Sequence, residues 1–188
     1  IWIGTANGLN RFNRDLETFE SVDILEIKGG RNYISCIAED HQQNLWIGTF
    51  AGLKRYNKKS KKLEDVSVPD IPVLTNGVLF SLFVDNENKI WIGSKGGLYK
   101  FDPSINSVVP LPEAFNLSAA DTAKVIVIRQ DLAGTLWFGT ETSGVFNYNP
   151  HENRIETYSF NEHQQNGISS NWIKDILVYD ENTVWFAT

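Results

Sequence analysis

The sequence is poor in cysteine, in long apolar runs and in positive charge, and each shortage excludes a class of protein. Its single cysteine, Cys36, cannot form an intramolecular disulfide framework, and its alternating setting ISCIAED predicts a buried apolar side chain rather than a reactive thiol. No apolar run is long enough to span a bilayer and no signal peptide is recognisable, so we expect no membrane insertion by this segment. The formal net charge of −6 would repel nucleic-acid phosphates, so we expect no nucleic-acid contact.

The sequence also lacks a recognisable catalytic or metal-binding motif. His41, His151 and His163 lie in scattered polar turns without the spacing of a metal site. No glycine-rich phosphate loop precedes a helix, and nothing brings a serine, a histidine and an aspartate together. The basic run KKSKK, from Lys58 to Lys62, is interpreted as a solvated hairpin tip, with contact to an anionic partner as the alternative. We therefore expect no catalytic residues, no metal and no cofactor.

The sequence is rich in one repeated phrase. It reads WIGTANGLNRFN first, then LWIGTFAGLKRYN, WIGSKGGLYKFD and WFGTETSGVFNYN, and it starts again as WFAT. The tryptophans of the phrase recur every 44 to 48 residues, at Trp2, Trp46, Trp91, Trp137 and Trp185. A period of this length indicates a repeat architecture, and five equivalent tryptophans suit packing positions better than a single catalytic site.

Each repeat predicts four short antiparallel strands. In residues 34–68 the stretches ISCIAED, LWIGT, LKRYN and LEDVSV alternate as strands joined by polar turns, and no window has a competing helical period. An aspartate that can accept hydrogen bonds from the amides of the next turn lies six residues before the tryptophan, at Asp40, Asp85 and Asp131. A glycine that is expected to have a positive φ angle follows the tryptophan, at Gly8, Gly52, Gly97 and Gly144.

An aromatic residue follows each of these glycines by four positions, at Phe12, Tyr56, Phe101 and Tyr148. We expect these rings and the tryptophans to fill the space between neighbouring units. Repeated four-stranded units with such aromatic and glycine positions predict an all-β protein, namely a β-propeller segment of about four four-stranded antiparallel blades. An open β-solenoid or a β-sandwich is the alternative.

The repeated phrase resembles the two-component regulator propeller repeats. That family's pattern is an alternating strand ending in Asp, a glycine-bearing turn, LWIGT, and then GGL followed by a basic or polar residue and an aromatic. The stretches ISCIAEDHQQNLWIGTFAGLKRYN, LFSLFVDNENKIWIGSKGGLYKFD and VIVIRQDLAGTLWFGTETSGVFNYN match this pattern, and the resemblance covers essentially the whole chain. It implies the periplasmic sensor region of a hybrid two-component system histidine kinase of Bacteroides-type bacteria, which is an inner-membrane protein.

The same resemblance implies partners and a role. In such systems two propellers precede an immunoglobulin-like domain, a membrane span, a kinase and a response-regulator output. The sensor usually recognises glycan fragments and switches on genes for polysaccharide use. We therefore expect an oligosaccharide and the rest of the parent sensor chain as partners. Two alternatives stay open, a scaffold that mediates only dimerisation or protein contact, and a propeller lyase or hydrolase.

The turn between the first two strands departs from the family pattern. Its glycine is present only as Gly134, while Gln43, Asn88 and Asn182 take its place in the other repeats. Because asparagine tolerates a left-handed backbone better than glutamine does, we expect the turn at Gln43 to differ in type.

The repeats predict a single propeller segment over residues 1–188. We expect a partial blade at 1–28, complete blades at 29–74, 75–116 and 117–165, and a partial blade at 166–188. Because the family usually builds seven blades per propeller, we expect an open arc of a larger propeller. Such an arc exposes blade faces and strand edges, so a homodimer that covers them is a further hypothesis.

Ligand binding is expected on the loops that precede each innermost strand and on those that join each second and third strand. Trp172 is the one tryptophan outside the phrase, and its indole could stack on the apolar face of a pyranose ring or pack under its own loop. Asn32, Asn76 and Asn171 recur just before the innermost strands and are interpreted as turn caps. The candidate ligand-binding residues of these loops are Arg31, Tyr33, Phe50, Lys95, Asp121, Lys124, Glu141 and Trp172.

Overall fold

Each repeat of the phrase folds as an antiparallel sheet in which the strands keep their order along the chain. The structure is a computed structural model that describes residues 1–22, 33–68, 71–117, 123–163 and 166–188. Within those residues the first sheet has three strands, the next three sheets have four each, and the last has two. The all-β class and the four-stranded antiparallel blades predicted from the sequence are confirmed.

The strand bounds follow the repeat closely. The first sheet contains β1 (Trp2–Thr5), β2 (Gly8–Asn13) and β3 (Thr18–Val22). The second contains β4 (Ile34–Glu39), β5 (Asn44–Thr49), β6 (Gly52–Asn57) and β7 (Lys62–Asp65). The third contains β8 (Leu79–Val84), β9 (Ile90–Ser94), β10 (Gly97–Asp102) and β11 (Ser107–Val109). The fourth contains β12 (Val125–Gln130), β13 (Leu136–Thr140), β14 (Val145–Asn149) and β15 (Arg154–Tyr158). The last contains β16 (Asp175–Val178) and β17 (Val184–Ala187).

The strand that carries the phrase is buried on both faces, because neighbouring sheets pack against each other. All five residues of β9, Ile90–Ser94, are buried, and five of the six residues of β5 are. Buried and exposed residues therefore do not alternate along this strand, because the side chains on each of its two faces pack against a neighbouring sheet. The fourth strands lie at the outer edge, where β7 is largely exposed and β11 is half-buried.

Successive sheets approach each other most closely at their first strands. The hydroxyl of Ser35 on β4 donates to the carbonyl of Leu79 on β8 at 2.5 Å, and β8 lies beside β12 in the same way. The glycine two residues after the tryptophan, which is Gly93 in the third sheet, permits this close approach of the two strands. A Cβ atom on Gly93 would lie 2.3 Å from the carbonyl oxygen of Val125, so the WIG triplet needs a residue without a side chain at this point.

Aromatic rings fill the space between sheets, as the sequence predicts. Trp46 of the second sheet contacts Phe101 of the third at a centroid distance of 5.4 Å. Trp91 of the third sheet contacts Tyr148 of the fourth at 6.2 Å. Trp46 and Trp91 are 0% and 1% exposed, so each tryptophan is covered by the aromatic residue of the following sheet. The other equivalent pair is Trp2 with Tyr56, at 5.7 Å.

The aspartate before the tryptophan makes more contacts than the sequence predicted. One carboxylate oxygen of Asp40 accepts the amides of Gln42 and Asn44 at 3.0 and 2.8 Å, as expected. The other oxygen accepts the indole N–H of Trp46 at 2.9 Å. Asp85 and Asp131 hold the indoles of the next two tryptophans at the same distance. We call this arrangement the Asp–Trp clasp, and it fixes the orientation of each ring.

The turn at Gln43 does not differ in type from its counterparts, so that expectation was wrong. Gln43, Asn88 and Gly134 all have positive φ angles, of 67°, 61° and 87°. Each donates its amide to the carbonyl of the clasp aspartate, at 2.9, 2.9 and 3.0 Å. The hydrogen bonds around the aspartate outweigh the cost of about 1–2 kcal/mol of a left-handed backbone at a residue with a side chain.

Two short helices lie where the sequence predicted only loops. Helix α1 spans Pro72–Asn76, with proline in its first turn and Leu74 fully buried, and a 3₁₀ helix spans Glu113–Leu117. A single helical turn is too short to show a 3.6-residue period, so the sequence pattern could not reveal either one. The glycines predicted to have positive φ do have it, at Gly8, Gly52, Gly97 and Gly144.

We expect Asp40→Ala to lower the free energy of unfolding by about 2–3 kcal/mol, because it leaves the buried indole N–H of Trp46 and two turn amides without their acceptor. Urea denaturation followed by circular dichroism measures the change. Asp180→Ala is the matched control, since Asp180 lies five residues before Trp185 and accepts the amide of Asn182 in the corresponding turn, but Trp185 is 62% exposed. An equal loss in both variants would contradict the role of the buried clasp.

We expect Gly52→Ala to destabilise the protein more than Gly134→Ala does. Both residues have a positive φ, so both variants incur the backbone strain of about 1–3 kcal/mol. A Cβ on Gly52 would also lie 2.3 Å from the carbonyl oxygen of Thr75 in α1, whereas the nearest described atoms to a Cβ on Gly134 are two side-chain ends at 3.9 Å. Thermal melting of the two variants separates the steric clash from the strain. Equal shifts in melting temperature would show that α1 moves aside for the added methyl group at no cost, which would contradict the expected steric clash.

Candidate ligand-binding loops

The antiparallel order of the strands sorts the turns onto two ends of the sheets. With strands counted as in the four-stranded sheets, so that β1 corresponds to a second strand, the loops before each first strand and the turns between second and third strands lie at one end, which we call the loop end. The turns between first and second strands and between third and fourth strands lie at the other, which we call the corner end. The loop end carries the predicted residues Tyr33, Phe50, Lys95, Lys124, Glu141 and Trp172. Arg31 and Asp121 lie outside the described residues.

Backbone hydrogen bonds join the loops of this end to one another. The amide of Gly52 donates to the carbonyl of Gly77 in the following sheet, at 2.9 Å. The amide of Gly144 donates to the carbonyl of Asn171 at 3.0 Å, which links the fourth and fifth sheets. The Asn171 side chain in turn accepts the amide of Phe160 at 2.7 Å, which ties the two ends of the loop between β15 and β16 together. The loops thus form a connected frame. The turn caps interpreted from the sequence stay a prediction, and Asn32 lies outside the described residues.

Tyr33 and Phe50 form an aromatic pair at the loop end of the second sheet. Their ring centroids are 4.2 Å apart with an interplanar angle of 32°. The residues are 41% and 37% exposed, so a good part of both rings faces solvent. The sequence named both residues but gave no sign that their rings would stack on each other.

Lys124 and Glu141 form an ion pair at the loop end of the fourth sheet. The lysine Nζ lies 2.7 Å from a carboxylate oxygen of Glu141 and 4.5 Å from the ring centroid of Phe80. The two side chains are 30% and 41% exposed, so water screens the pair and its contribution to stability is small. The pair offers one donor and one acceptor to a polar ligand. Phe80 was read only as a strand residue, and nothing in its local pattern shows that it supports Lys124.

Trp172 is half exposed and does not pack fully under its loop. Its exposed fraction is 52%, and the Nζ atom of Lys174 lies 5.3 Å from the ring centroid. Lys174 follows Trp172 by two positions, directly before β16, and a spacing of two along a strand places both side chains on one side. That period-two spacing was the signal that could have identified Lys174 from the sequence. Lys95 is also exposed at this end, in the turn between β9 and β10.

The described residues hold no cluster of three or more His, Cys, Asp and Glu side chains that could bind a metal ion. Among the same residues, no helix is long and apolar enough to cross a membrane.

Burial raises the pKa of the Cys36 thiol from its ordinary 9.0 to about 12, so the thiol stays protonated at neutral pH. Cys36 is half-buried rather than fully buried as predicted, and its raised pKa agrees with the interpretation of an unreactive apolar residue.

Two grooves open between sheets near the corner end, away from the predicted residues. One, of about 340 Å³, lies between the third and fourth sheets and includes Trp91, Lys100 and Tyr148 in its lining. The other, of about 480 Å³, lies between the first and second sheets and includes Trp2 and Tyr56. None of the predicted loop-end residues lines either groove. The candidate ligand-binding residues named from the sequence therefore do not include these two surfaces.

We expect alkaline pH to destabilise the protein partly through Cys36. The folded-state pKa is raised, so between pH 9.0 and about 12 the unfolded chain binds fewer protons at this thiol than the folded chain, and stability falls as pH rises. Unfolding free energies of the parent and Cys36→Ala, measured from pH 8 to pH 11, test this. Burial also raises the pKa of Tyr99 and Tyr148, but both tyrosines are present in the parent and in the variant, so their effect cancels in the comparison. Parallel pH profiles would contradict the assignment to Cys36.

The chain is similar to a sequence family and to several solved structures. Residues 28–51 match the model of the family described as Two component regulator propeller. No curated protein sequence matches the chain. Two crystal structures of one extracellular domain from B. thetaiotaomicron, described in one case as a one component system and in the other as a hybrid two component system, share 24% identity with it. They superpose with TM-scores of 0.80 and 0.79 and cover 100% and 98% of this chain and 24% of their own.

More distant structures share the fold as well. The extracellular domain of a second hybrid two component system from B. thetaiotaomicron has 18% identity and a TM-score of 0.58, over 100% of this chain and 30% of its own. A virginiamycin B lyase from Staphylococcus aureus has 12% identity and a TM-score of 0.66, over 96% and 56%. The chain thus spans about a quarter of the length of the first structures it matches. The resemblance to the two-component regulator propeller repeats is confirmed, because residues 28–51 match that family and the whole chain has the fold of these extracellular domains.

Proposed function

We propose that the chain is a ligand-detecting propeller segment of the periplasmic sensor region of a hybrid two-component signalling protein, anchored in the inner membrane by other parts of that protein. The match of residues 28–51 to the regulator propeller family and the fold shared with extracellular domains of such systems support this role. In the proposal the ligand is a glycan fragment. Its binding regulates a histidine kinase elsewhere in the parent chain, and through it genes for polysaccharide use.

The exposed aromatic side chains of the loop end are the observation that carries the glycan proposal. Trp172, Tyr33 and Phe50 expose 52%, 41% and 37% of their surface at the same end of the sheets. Exposed aromatic rings beside polar groups suit a sugar, because the apolar face of a pyranose packs on a ring while its hydroxyls take hydrogen bonds from the rim. Lys124 and Lys95 would donate hydrogen bonds to the sugar hydroxyls, and Glu141 would accept one from them.

A scaffold without a ligand is the second candidate function, and one feature of the same residues favours it. Tyr33 stacks on Phe50, and Lys124 pairs with Glu141, so these side chains already satisfy each other. In a scaffold the loop end would contact the rest of the parent sensor chain. The fold likeness to virginiamycin B lyase, at 12% identity, carries no argument for an enzyme.

We expect Trp172→Ala to weaken oligosaccharide binding about tenfold, because the variant removes the ring on which a sugar would stack. Isothermal titration of the chain with a panel of neutral and acidic oligosaccharides measures the dissociation constants. Tyr179→Ala is the matched control, since Tyr179 is 72% exposed but lies in the turn between β16 and β17 at the corner end.

The outcomes separate the two candidate functions. Loss of affinity in Trp172→Ala with unchanged affinity in Tyr179→Ala supports a glycan site at the loop end. Equal affinities in all three proteins would exclude Trp172 from the site, and no binding of any oligosaccharide would favour the scaffold. The homodimer suggested by the sequence stays a prediction, and light scattering of the chain would contradict it by returning a monomer mass.

A further inference from the structure

A basic residue faces every tryptophan of the first three sheets across the strand pair. Trp2 pairs with Arg11, Trp46 with Arg55 and Trp91 with Lys100 in the strand registers. In the fourth sheet Asn147 takes this place opposite Trp137. Arg11, Arg55 and Lys100 therefore occupy equivalent positions in the three repeats, each opposite the tryptophan of its own sheet.

Carboxylates surround the cation in the second and third sheets. Arg55 lies 5.9 Å from the ring centroid of Trp46 and forms an ion pair with Glu64 at 2.5 Å. Lys100 lies 5.1 Å from the ring of Trp91, with carboxylate oxygens of Asp85 and Glu87 at 3.6 and 3.8 Å. Positive charge at these two positions is thus balanced locally.

Among the described residues, three cations and one carboxylate line the groove between the first and second sheets. Arg11 lies 4.0 Å from Glu20, the limit of an ion pair, and both side chains are more than half exposed. Lys58 and Lys61 of the hairpin between β6 and β7 line the same groove. Lys58 contacts Glu39 at 2.5 Å, so Arg11 and Lys61 face Glu20, the one carboxylate among the described lining residues, in a chain whose net charge is −6.

The same groove also contains two aromatic residues. Half-buried Trp2 and buried Tyr56 meet edge to face, with ring centroids 5.7 Å apart. The groove measures about 480 Å³, which lies within the range of about 300–1,000 Å³ that small-ligand sites occupy. An aromatic base with cations at the rim suits a ligand that has both an apolar face and an anionic group.

We propose that this groove binds an anionic saccharide, in which Arg11, Lys58 and Lys61 contact the carboxylate or sulfate group and Trp2 contacts the sugar ring. Arginine binds such groups through two parallel N–H donors and lysine through a point charge. The site lies at the corner end, so it is separate from Trp172 and does not depend on the loop-end proposal. It assigns a ligand to part of the KKSKK run, for which the sequence analysis favours a solvated hairpin tip and keeps an anionic partner as the alternative.

The KKSKK run provides a matched pair of variants for the test. Lys58→Ala/Lys61→Ala removes two charges that line the groove, and Lys59→Ala/Lys62→Ala removes two charges from the same hairpin that do not. The two double variants have the same net charge as each other, because each loses two lysines from the same hairpin. Circular dichroism and thermal melting of each establish that the hairpin and the sheets remain folded.

Isothermal titration is carried out with four probes, namely digalacturonate, a sulfated chondroitin disaccharide, neutral cellobiose and inorganic sulfate. We expect one or both acidic disaccharides to bind, with affinity that falls as salt rises, and the two of them to distinguish a carboxylate from a sulfate ligand. Lys58→Ala/Lys61→Ala should weaken that binding about tenfold and Lys59→Ala/Lys62→Ala less than about twofold.

Three outcomes would overturn the proposal. Equal losses in the two double variants would show a diffuse charge effect of the hairpin. Binding of inorganic sulfate as tight as that of the acidic disaccharides would show an ion site without sugar recognition. No binding of either acidic disaccharide would leave the lysines as a solvated tip. A Trp172→Ala protein that keeps its affinity for the acidic probes would confirm that the two sites are independent.

Discussion

The hydrogen bond from each buried indole to an aspartate carboxylate is the interaction on which the packing of the sheets depends. Asp40 and Asp85 are nearly fully buried, and each closes a turn with one oxygen while it holds a tryptophan with the other. The ring is thereby fixed at the angle at which an aromatic residue of the next sheet can cover it. A carboxylate is costly to bury unless its oxygens are hydrogen-bonded, and here the clasp supplies those bonds.

Repetition of the clasp has a consequence for function. Because each sheet is positioned by the same few residues, the turns that join the strands can vary without loss of the fold. At the loop end this variation produces a stacked aromatic pair, an ion pair and a half-exposed tryptophan in successive sheets. At the corner end it changes the charge balance from one groove to the next, although the tryptophan in each groove is equivalent. Both ends are therefore surfaces on which recognition can differ between repeats while the core stays the same.

Local pattern predicted the strands, the turn glycines and the aromatic packing, because each of these is set by residues within one repeat. Alternation of apolar residues marks a strand, and a positive φ angle favours glycine. The pattern missed the single-turn helix at Pro72–Asn76, which is too short for a period, and misjudged the turn at Gln43. At Gln43 the hydrogen bonds of Asp40 decide the conformation, and propensity alone does not include them.

The sequence by itself determined that the chain is a series of similar four-stranded sheets, and it named the residues at which those sheets meet. Only the tertiary structure decided which side chains lie together across sheets, such as the carbonyl of Val125 against Gly93 or the ring of Phe80 beneath Lys124. Equivalent residues of neighbouring sheets are about one repeat apart in the chain, so no local period records their contact. The charge of a groove between two sheets is a property of both, and it exists only once they are packed together.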